Sequence, residues 1–99
     1  MAKPDRIEIE NVLQPGKTYR VDAAKFAAMR EAMLAVLPGK APGLTVPEVK
    51  SSVLPCLPES LFPGGDKAGW WIKAVQLDLE AKGLIARGPK APVRLHRAN

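Results

Sequence analysis

The stretch DKAGWWIKAVQLDLEAKGLIARGPKAPVRLHR, residues 66–97, decides the fold predicted for this chain. Its first half predicts a helix over 67–82, with Asp66 as the N-terminal cap and Gly83 as the stop. Two short basic strands follow, over 84–87 and 93–97, and a turn containing Gly-Pro joins them. A helix followed by a basic hairpin predicts a mainly α domain with a small β-wing.

Two further helices are predicted upstream of this stretch. Asp22 opens the first, which runs to residue 37 with apolar residues at three- and four-residue spacing. Thr45 and Glu48 form a capping box at the start of the second, over 46–54. The buried stripe of the first helix consists of Phe26, Met29, Met33, Val36 and Leu37.

The N-terminal part is expected to be extended. Residues 6–10, RIEIE, alternate polar and apolar, which indicates either a half-buried strand with Ile7 and Ile9 inward or an arm. Residues 18–21 form a possible second extended piece. The chain therefore divides into an N-terminal arm or strand, 1–21, and a domain of three helices and the wing, 22–97.

Composition limits the class of protein. With 99 residues, 46% hydrophobic and 25% charged, the chain has the makeup of one globular domain. Its apolar runs are too short for a membrane span, and charges stand where a signal peptide needs apolar residues. We therefore expect a cytoplasmic protein without membrane contact. The single cysteine, Cys56, excludes an internal disulfide and a cysteine-based zinc site.

The net charge of +5 is concentrated at one end of the chain. Residues 1–80 contain ten basic and ten acidic side chains, which cancel. Residues 81–99 contain no acid, and a one-sided basic block indicates either a polyanion partner, nucleic acid first, or a solvated edge. The five cations are Lys82, Arg87, Lys90, Arg94 and Arg97.

The helix over 67–82 is apolar over more than half of its surface when wound at about 100° per residue. One strip contains Trp70 and Leu77, and the adjoining strip contains Trp71. This predicts a helix that anchors the core; alternatively, Trp70 covers a partner or stacks on a base. The remaining polar sector consists of Lys73, Gln76 and Glu80, and Asp78 stands four residues before Lys82 as an ion pair.

The segments LTVPEV, LDLEAKGLIAR and PVRLHR together resemble the winged helix-turn-helix domains of bacterial regulators, in which L-E-x-x-G-L-[IV] ends the recognition helix. The whole chain is also similar to a small family of uncharacterised bacterial proteins. The resemblance implies that Arg87, Lys90, Arg94 and Arg97 lie against the phosphates of duplex DNA, with Lys73 and Gln76 facing a groove. The chain departs from the winged-helix pattern in the long connection 55–65 and in Glu80, an acid on the polar sector.

No catalytic constellation is predicted. His96 stands among arginines in the last strand, Cys56 has no base nearby in the sequence, and Gly64–Gly69 lacks the spacing of a phosphate-binding loop. We expect no enzyme, cofactor or metal. The sequence predicts a nucleic-acid-binding winged-helix module that acts through its basic wing. The alternative is a protein-interaction or dimerisation module that uses the strip of Trp70 and Leu77.

Overall fold

The structure is a computed structural model that describes residues 6–14, 16–40, 42–88 and 92–98. These residues contain three helices, five short strands and two 3-10 turns, so the fold is mixed α/β rather than mainly helical. The strands are β1 Arg6–Glu10, β2 Thr18–Asp22, β3 Leu44–Thr45, β4 Ile85–Arg87 and β5 Arg94–Arg97. The helices are α1 Ala23–Val36, α2 Val46–Val53 and α3 Ala68–Ala81, and the 3-10 turns are Leu54–Cys56 and Pro63–Gly65.

The N-terminal part is an antiparallel hairpin of β1 and β2. The strand prediction for residues 6–10 is confirmed, but the alternation is only half right about burial. Ile9 is buried, whereas Ile7 is 36% exposed. Ile9 and Val21 belong to the same core cluster as the helices, so the hairpin and the rest of the domain share one core.

The predicted caps of α1 and α2 are confirmed. Asp22 accepts the backbone N–H of Lys25 at 3.0 Å. Thr45 accepts from the N–H of Glu48, and the Glu48 carboxylate accepts from the N–H of Thr45 at 2.8 Å. These three bonds satisfy donors that a helix start otherwise leaves free, which fixes both helices where the sequence places them.

The sequence analysis did not predict the short strand β3, which lies directly before α2. It pairs with β5 and extends the wing into a three-stranded sheet in the order β3–β5–β4. Gly43 makes this pairing possible, since a Cβ there would lie 2.1 Å from the carbonyl oxygen of Leu95. Its φ of 85° also favours glycine.

The start of α3 differs from the prediction, and its end agrees with it. Asp66 does not cap the helix; the N-cap is Lys67, in a left-handed conformation and without a side-chain cap bond. The reason is the 3-10 turn before it, which places Asp66 one residue too early. Gly83 has a φ of 73°, and Leu84 donates its N–H to the carbonyl of Leu79, as in a glycine-terminated helix.

The core lies between the three helices and receives side chains from both sheets. Phe62, in the long connection, is fully buried and stands edge-on to Trp71 with ring centroids 6.3 Å apart. The long connection 55–65 therefore packs onto the core through Phe62. Within the described residues, no helix has the length and apolarity needed to cross a membrane.

Candidate functional site

The wing sheet divides its side chains between two faces. The register pairs Arg87 with Leu95 and Ile85 with Arg97. Since directly opposed residues share a face and neighbours alternate, Arg87 and Arg97 lie on the core-facing side and Arg94 lies on the other. The predicted phosphate contacts therefore do not point in one direction.

Arg87 is held by an intramolecular carboxylate. Its Nε lies 2.6 Å from Oε1 of Glu80, and its second terminal nitrogen lies 2.8 Å from Oε2. This two-pronged contact raises the pKa of Arg87 above its ordinary value. A phosphate at this position would have to compete with Glu80 for the guanidinium.

Arg97 and Arg94 also have partners in the domain. Arg97 donates from its backbone to the carbonyl of Pro38 at 2.8 Å and from Nε to that of Leu37 at 3.0 Å, so it closes the end of α1. Arg94 lies 3.8 Å from the Glu48 carboxylate. The backbone and side-chain hydrogen bonds from Thr45 lower the pKa of Glu48, and Arg94 adds to this. Lys90 lies outside the described residues.

Gln76 does not face outward as the resemblance implied. It is only 6% exposed, and its amide donates to Oε2 of Glu80 at 2.9 Å. The ion pair of Glu80 and Arg87 holds the wing against this sector of α3, so the wing covers the sector. Of the predicted groove-facing residues, only Lys73 is exposed, and it lies beside the N-terminal hairpin.

The predicted ion pair of Asp78 and Lys82 is confirmed at 2.9 Å, but Asp78 also has a second role. It is fully buried, and its Oδ1 accepts the backbone N–H of Glu10 in β1 at 2.8 Å. Two positions along, Val12 donates its N–H to the carbonyl of Leu77. These bonds fasten the hairpin alongside α3.

An apolar cleft of about 470 Å³ opens between the hairpin and α3. Trp70 is 57% exposed at its edge, and Tyr19 is 44% exposed on the hairpin side. Lys73, an exposed residue of α3, brings a positive charge to the same cleft. Its apolar lining consists of Ile9, Tyr19, Val21, Trp70, Ala74 and Leu77.

Trp70 packs on one side against a core residue. Its ring stands edge-on to Trp71 with centroids 5.0 Å apart, and Trp71 is buried. On its other side, a smaller depression of about 320 Å³ is lined by Arg6, Arg20 and Asp22. The core interpretation is thus right for Trp71 and wrong for Trp70, which separates two concave surfaces.

The exposed apolar side chains are concentrated on this side of the molecule. Apart from Leu54, the large hydrophobic residues that the structure exposes come from residues 6–19 and from Trp70. A monomeric domain rarely collects exposed apolar surface in one place unless that surface binds something. These residues are Ile7, Val12, Leu13, Tyr19 and Trp70.

Comparison with known proteins adds one relationship. The chain belongs to a family of unknown function, DUF6958, whose model matches residues 6–95. No curated protein and no solved structure matches the chain. The family's span includes the hairpin, α3 and nearly all of the wing, so the cleft lies wholly inside the part that defines the family.

The side chains of ordinary catalytic types are dispersed. His96 is half-buried with its Nδ1 at 2.8 Å from the carbonyl of Arg97, and Cys56 is exposed with Sγ at 3.8 Å from the carbonyl of Ser52. Among the described residues, no three His, Cys, Asp or Glu side chains are placed to hold a metal ion.

Sequence reasoning missed the cleft because its two walls are 50 residues apart; the signal was the exposed strip of α3 facing the alternating apolar residues of β2.

Proposed function

We propose that the domain is a protein-interaction module with a winged-helix architecture, which binds a partner protein through the cleft of Trp70 and Tyr19. The observation that carries this proposal is the 57% exposure of Trp70 on a rigid aromatic support beside an apolar cleft. Covering about 100 Å² of such surface contributes about 2.5 kcal/mol. Exposed, preorganised tryptophans of this kind are the usual anchors of protein interfaces.

The winged-helix assignment is supported by the order of elements after β2. One helix, a short strand, two helices and a hairpin follow one another, and the short strand joins the hairpin in one sheet. The N-terminal hairpin is an addition to that arrangement, and it supplies one wall of the cleft. The scaffold thus presents the exposed face of α3 to a partner rather than to a groove of DNA.

Site-specific photo-crosslinking tests this proposal. A photoreactive phenylalanine replaces Trp70 in one variant and Lys50, an exposed residue of α2, in the control. We expect one dominant adduct from position 70, and the protein identified in it should bind the purified wild type at least tenfold more tightly than Trp70→Ala. Equal adducts from both positions, or equal binding by Trp70→Ala, would contradict the proposal.

A second candidate, nucleic-acid binding through the basic wing, is favoured by one observation. The whole net charge of +5 lies in residues 81–99. With Lys90, Arg94 and Arg97 as the phosphate contacts, because Glu80 holds Arg87, log K for a duplex should fall against log salt with a slope of about −2.7. Fluorescence anisotropy with a labelled duplex measures this slope, and an absence of binding at low salt would remove the candidate.

A further inference from the structure

The outer edge of β2 carries backbone groups that no other described element uses. Glu10 donates its N–H to Asp78, away from β2, so the pair Glu10–Thr18 is a non-hydrogen-bonded pair of the hairpin. Bonded and non-bonded pairs alternate along an antiparallel ladder, so Thr18 and Arg20 turn their N–H and C=O groups outward. Both residues are exposed. The edge is therefore open to a further strand.

This open edge is continuous with the cleft. Tyr19 is paired with Ile9, and both line the cleft, so Tyr19 lies on the cleft face of the hairpin. A strand added along β2 would place every second side chain on that same face, beside Tyr19 and close to Trp70. One occupant would thus satisfy the free backbone groups and cover exposed apolar surface together.

A second copy of the chain fits this edge in one register better than in the others. Identical edge strands related by a two-fold axis run antiparallel and pair with themselves. Pairing Arg20 with Arg20 would oppose two cations, which is unfavourable. Pairing Arg20 with Asp22 would set Arg20 against the carboxylate that caps α1 by accepting the N–H of Lys25. Pairing Thr18 with Arg20 avoids both problems and places Tyr19 opposite Tyr19 on the axis.

The charged side chains on the face of the hairpin opposite to Tyr19 agree with this register. Within one hairpin Glu8 stands opposite Arg20, and Glu10 stands opposite Thr18. In the paired arrangement, Arg20 of the second copy lies next to Thr18 of the first copy. Glu10 of the first copy lies on the far side of that Thr18, one strand spacing of about 4.8 Å further on. Each Arg20 then lies beside Glu8 of its own chain and Thr18 of the other chain, and Glu10 of the other chain is the nearest carboxylate one strand further on.

We propose that the chain forms a symmetric dimer through β2, with Thr18 paired to Arg20 of the second copy and the two Tyr19 side chains meeting on the two-fold axis. The two hairpins become one four-stranded sheet with four new backbone hydrogen bonds. The paired tyrosines lie over the cleft beside Trp70. The inference rests on the proposed interaction function and names its partner.

A proline substitution tests the edge. Thr18→Pro removes an outward N–H that the hairpin ladder does not use, so the hairpin can still form. Thr18→Ala keeps that N–H and is the matched control. In sedimentation equilibrium we expect wild type and Thr18→Ala to show a dimer and Thr18→Pro to dissociate at least tenfold more readily, with unchanged circular dichroism.

The outcomes separate this inference from the function on which it rests. A wild type that is monomeric at about 1 mM overturns the dimer, and the crosslinking partner of position 70 still decides the interaction function. A dimer that Thr18→Pro leaves intact but Trp70→Ala dissociates overturns the edge pairing and supports the interaction function. A dimer that neither variant weakens overturns the pairing through β2, and the crosslinking partner of position 70 still decides the interaction function.

A disulfide test of the register gives a positive signal that does not depend on a loss of folding. In a Cys56→Ala background, Tyr19→Cys places two thiols on the two-fold axis, where Cα atoms of a non-hydrogen-bonded pair lie about 4.5 Å apart. Arg20→Cys is the control, because residue 20 faces Thr18 and not itself. We expect rapid covalent dimer formation only for Tyr19→Cys. Equal or faster crosslinking of Arg20→Cys would overturn the register.

Discussion

Oδ1 of Asp78 accepts the backbone N–H of Glu10 at 2.8 Å, and this bond joins two residues that are 68 positions apart in the chain. Asp78 is fully buried, and its other oxygen accepts from Nζ of Lys82 at 2.9 Å. A single carboxylate therefore ties the N-terminal hairpin to α3. The cleft exists because these two elements are held together at this point.

Replacing Asp78 by alanine should destabilise the domain. The change leaves the N–H of Glu10 without its acceptor and Lys82 without its ion-pair partner, which together cost about 3 kcal/mol. Asp78→Asn retains an acceptor for Glu10 and should lose about 1 kcal/mol. Urea denaturation followed by circular dichroism measures both losses.

The control for this prediction is Asp66→Ala. Asp66 is exposed and does not cap α3, so its replacement should change the free energy of unfolding by less than about 0.5 kcal/mol. A loss for Asp78→Ala no larger than that for Asp66→Ala would show that the hairpin does not depend on the buried carboxylate.

A pair of glycine substitutions separates steric contact from backbone strain. Gly43→Ala would drive a Cβ to 2.1 Å from the carbonyl oxygen of Leu95, so β3 must leave β5. Gly16→Ala has a similar φ, 89° against 85°, but meets nothing within 4 Å. We expect Gly16→Ala to cost about 1 kcal/mol and Gly43→Ala to cost at least about 2 kcal/mol more. Thermal or urea unfolding measures this difference, and equal losses would mean that β3 contributes little.

The wing is predictable from local signals in the sequence, and its surroundings are not. Local signals placed α1 and α2, because Asp22 and Thr45 act on donors only a few residues away. The strand β3 has two residues and depends on contact with β5, some 50 positions later, which no local pattern contains. The cap at Asp66 failed because a preceding 3-10 turn shifted the start of α3.

The same distinction applies to the candidate site. The strip of Trp70 and Leu77 is visible in the sequence as surplus apolar surface on one helix. Its opposite wall, at Ile9 and Tyr19, becomes evident only when Asp78 fixes the hairpin against α3. The partners of the wing arginines are likewise contacts between distant segments, as between Arg97 and Leu37.

Stability should fall in acid through Glu48. Hydrogen bonds from Thr45 hold the pKa of Glu48 below its ordinary value of 4.5 in the folded state. A group with a depressed folded pKa stabilises the fold above its unfolded pKa, and this contribution is lost as pH falls through the folded pKa. The loss should therefore occur below about pH 4.5.

Urea unfolding of wild type and Glu48→Gln as a function of pH checks this. Glutamine cannot be protonated in this range, so the variant should show a smaller decline in stability below pH 4.5 than wild type. Glu31→Gln, an exposed position on α1, is the control and should follow the wild-type curve. Parallel curves for wild type and Glu48→Gln would mean that the capping box does not respond to pH.

Truncation of the two adjacent tryptophans should destabilise the domain to very different extents. Trp71 is buried against Phe62, so Trp71→Ala should cost about 3–5 kcal/mol. Trp70 is 57% exposed, so Trp70→Ala should cost the isolated domain no more than about 1 kcal/mol. Urea denaturation at a concentration that keeps the chain monomeric measures both losses. A Trp70→Ala variant as unstable as Trp71→Ala would assign Trp70 to the core.

Glu80 decides how much of the wing charge is available to a polyanion. Its carboxylate accepts hydrogen bonds from the guanidinium of Arg87 and from the side-chain amide of Gln76. Glu80→Gln therefore removes a negative charge and weakens the contact that holds Arg87. If the wing binds nucleic acid, the variant gains about one phosphate contact, and its salt slope in duplex anisotropy should steepen by about 0.9. Glu31→Gln changes the net charge equally at a distant helix and should leave the slope unchanged. Equal slopes for both variants and wild type would mean that Arg87 does not contact nucleic acid.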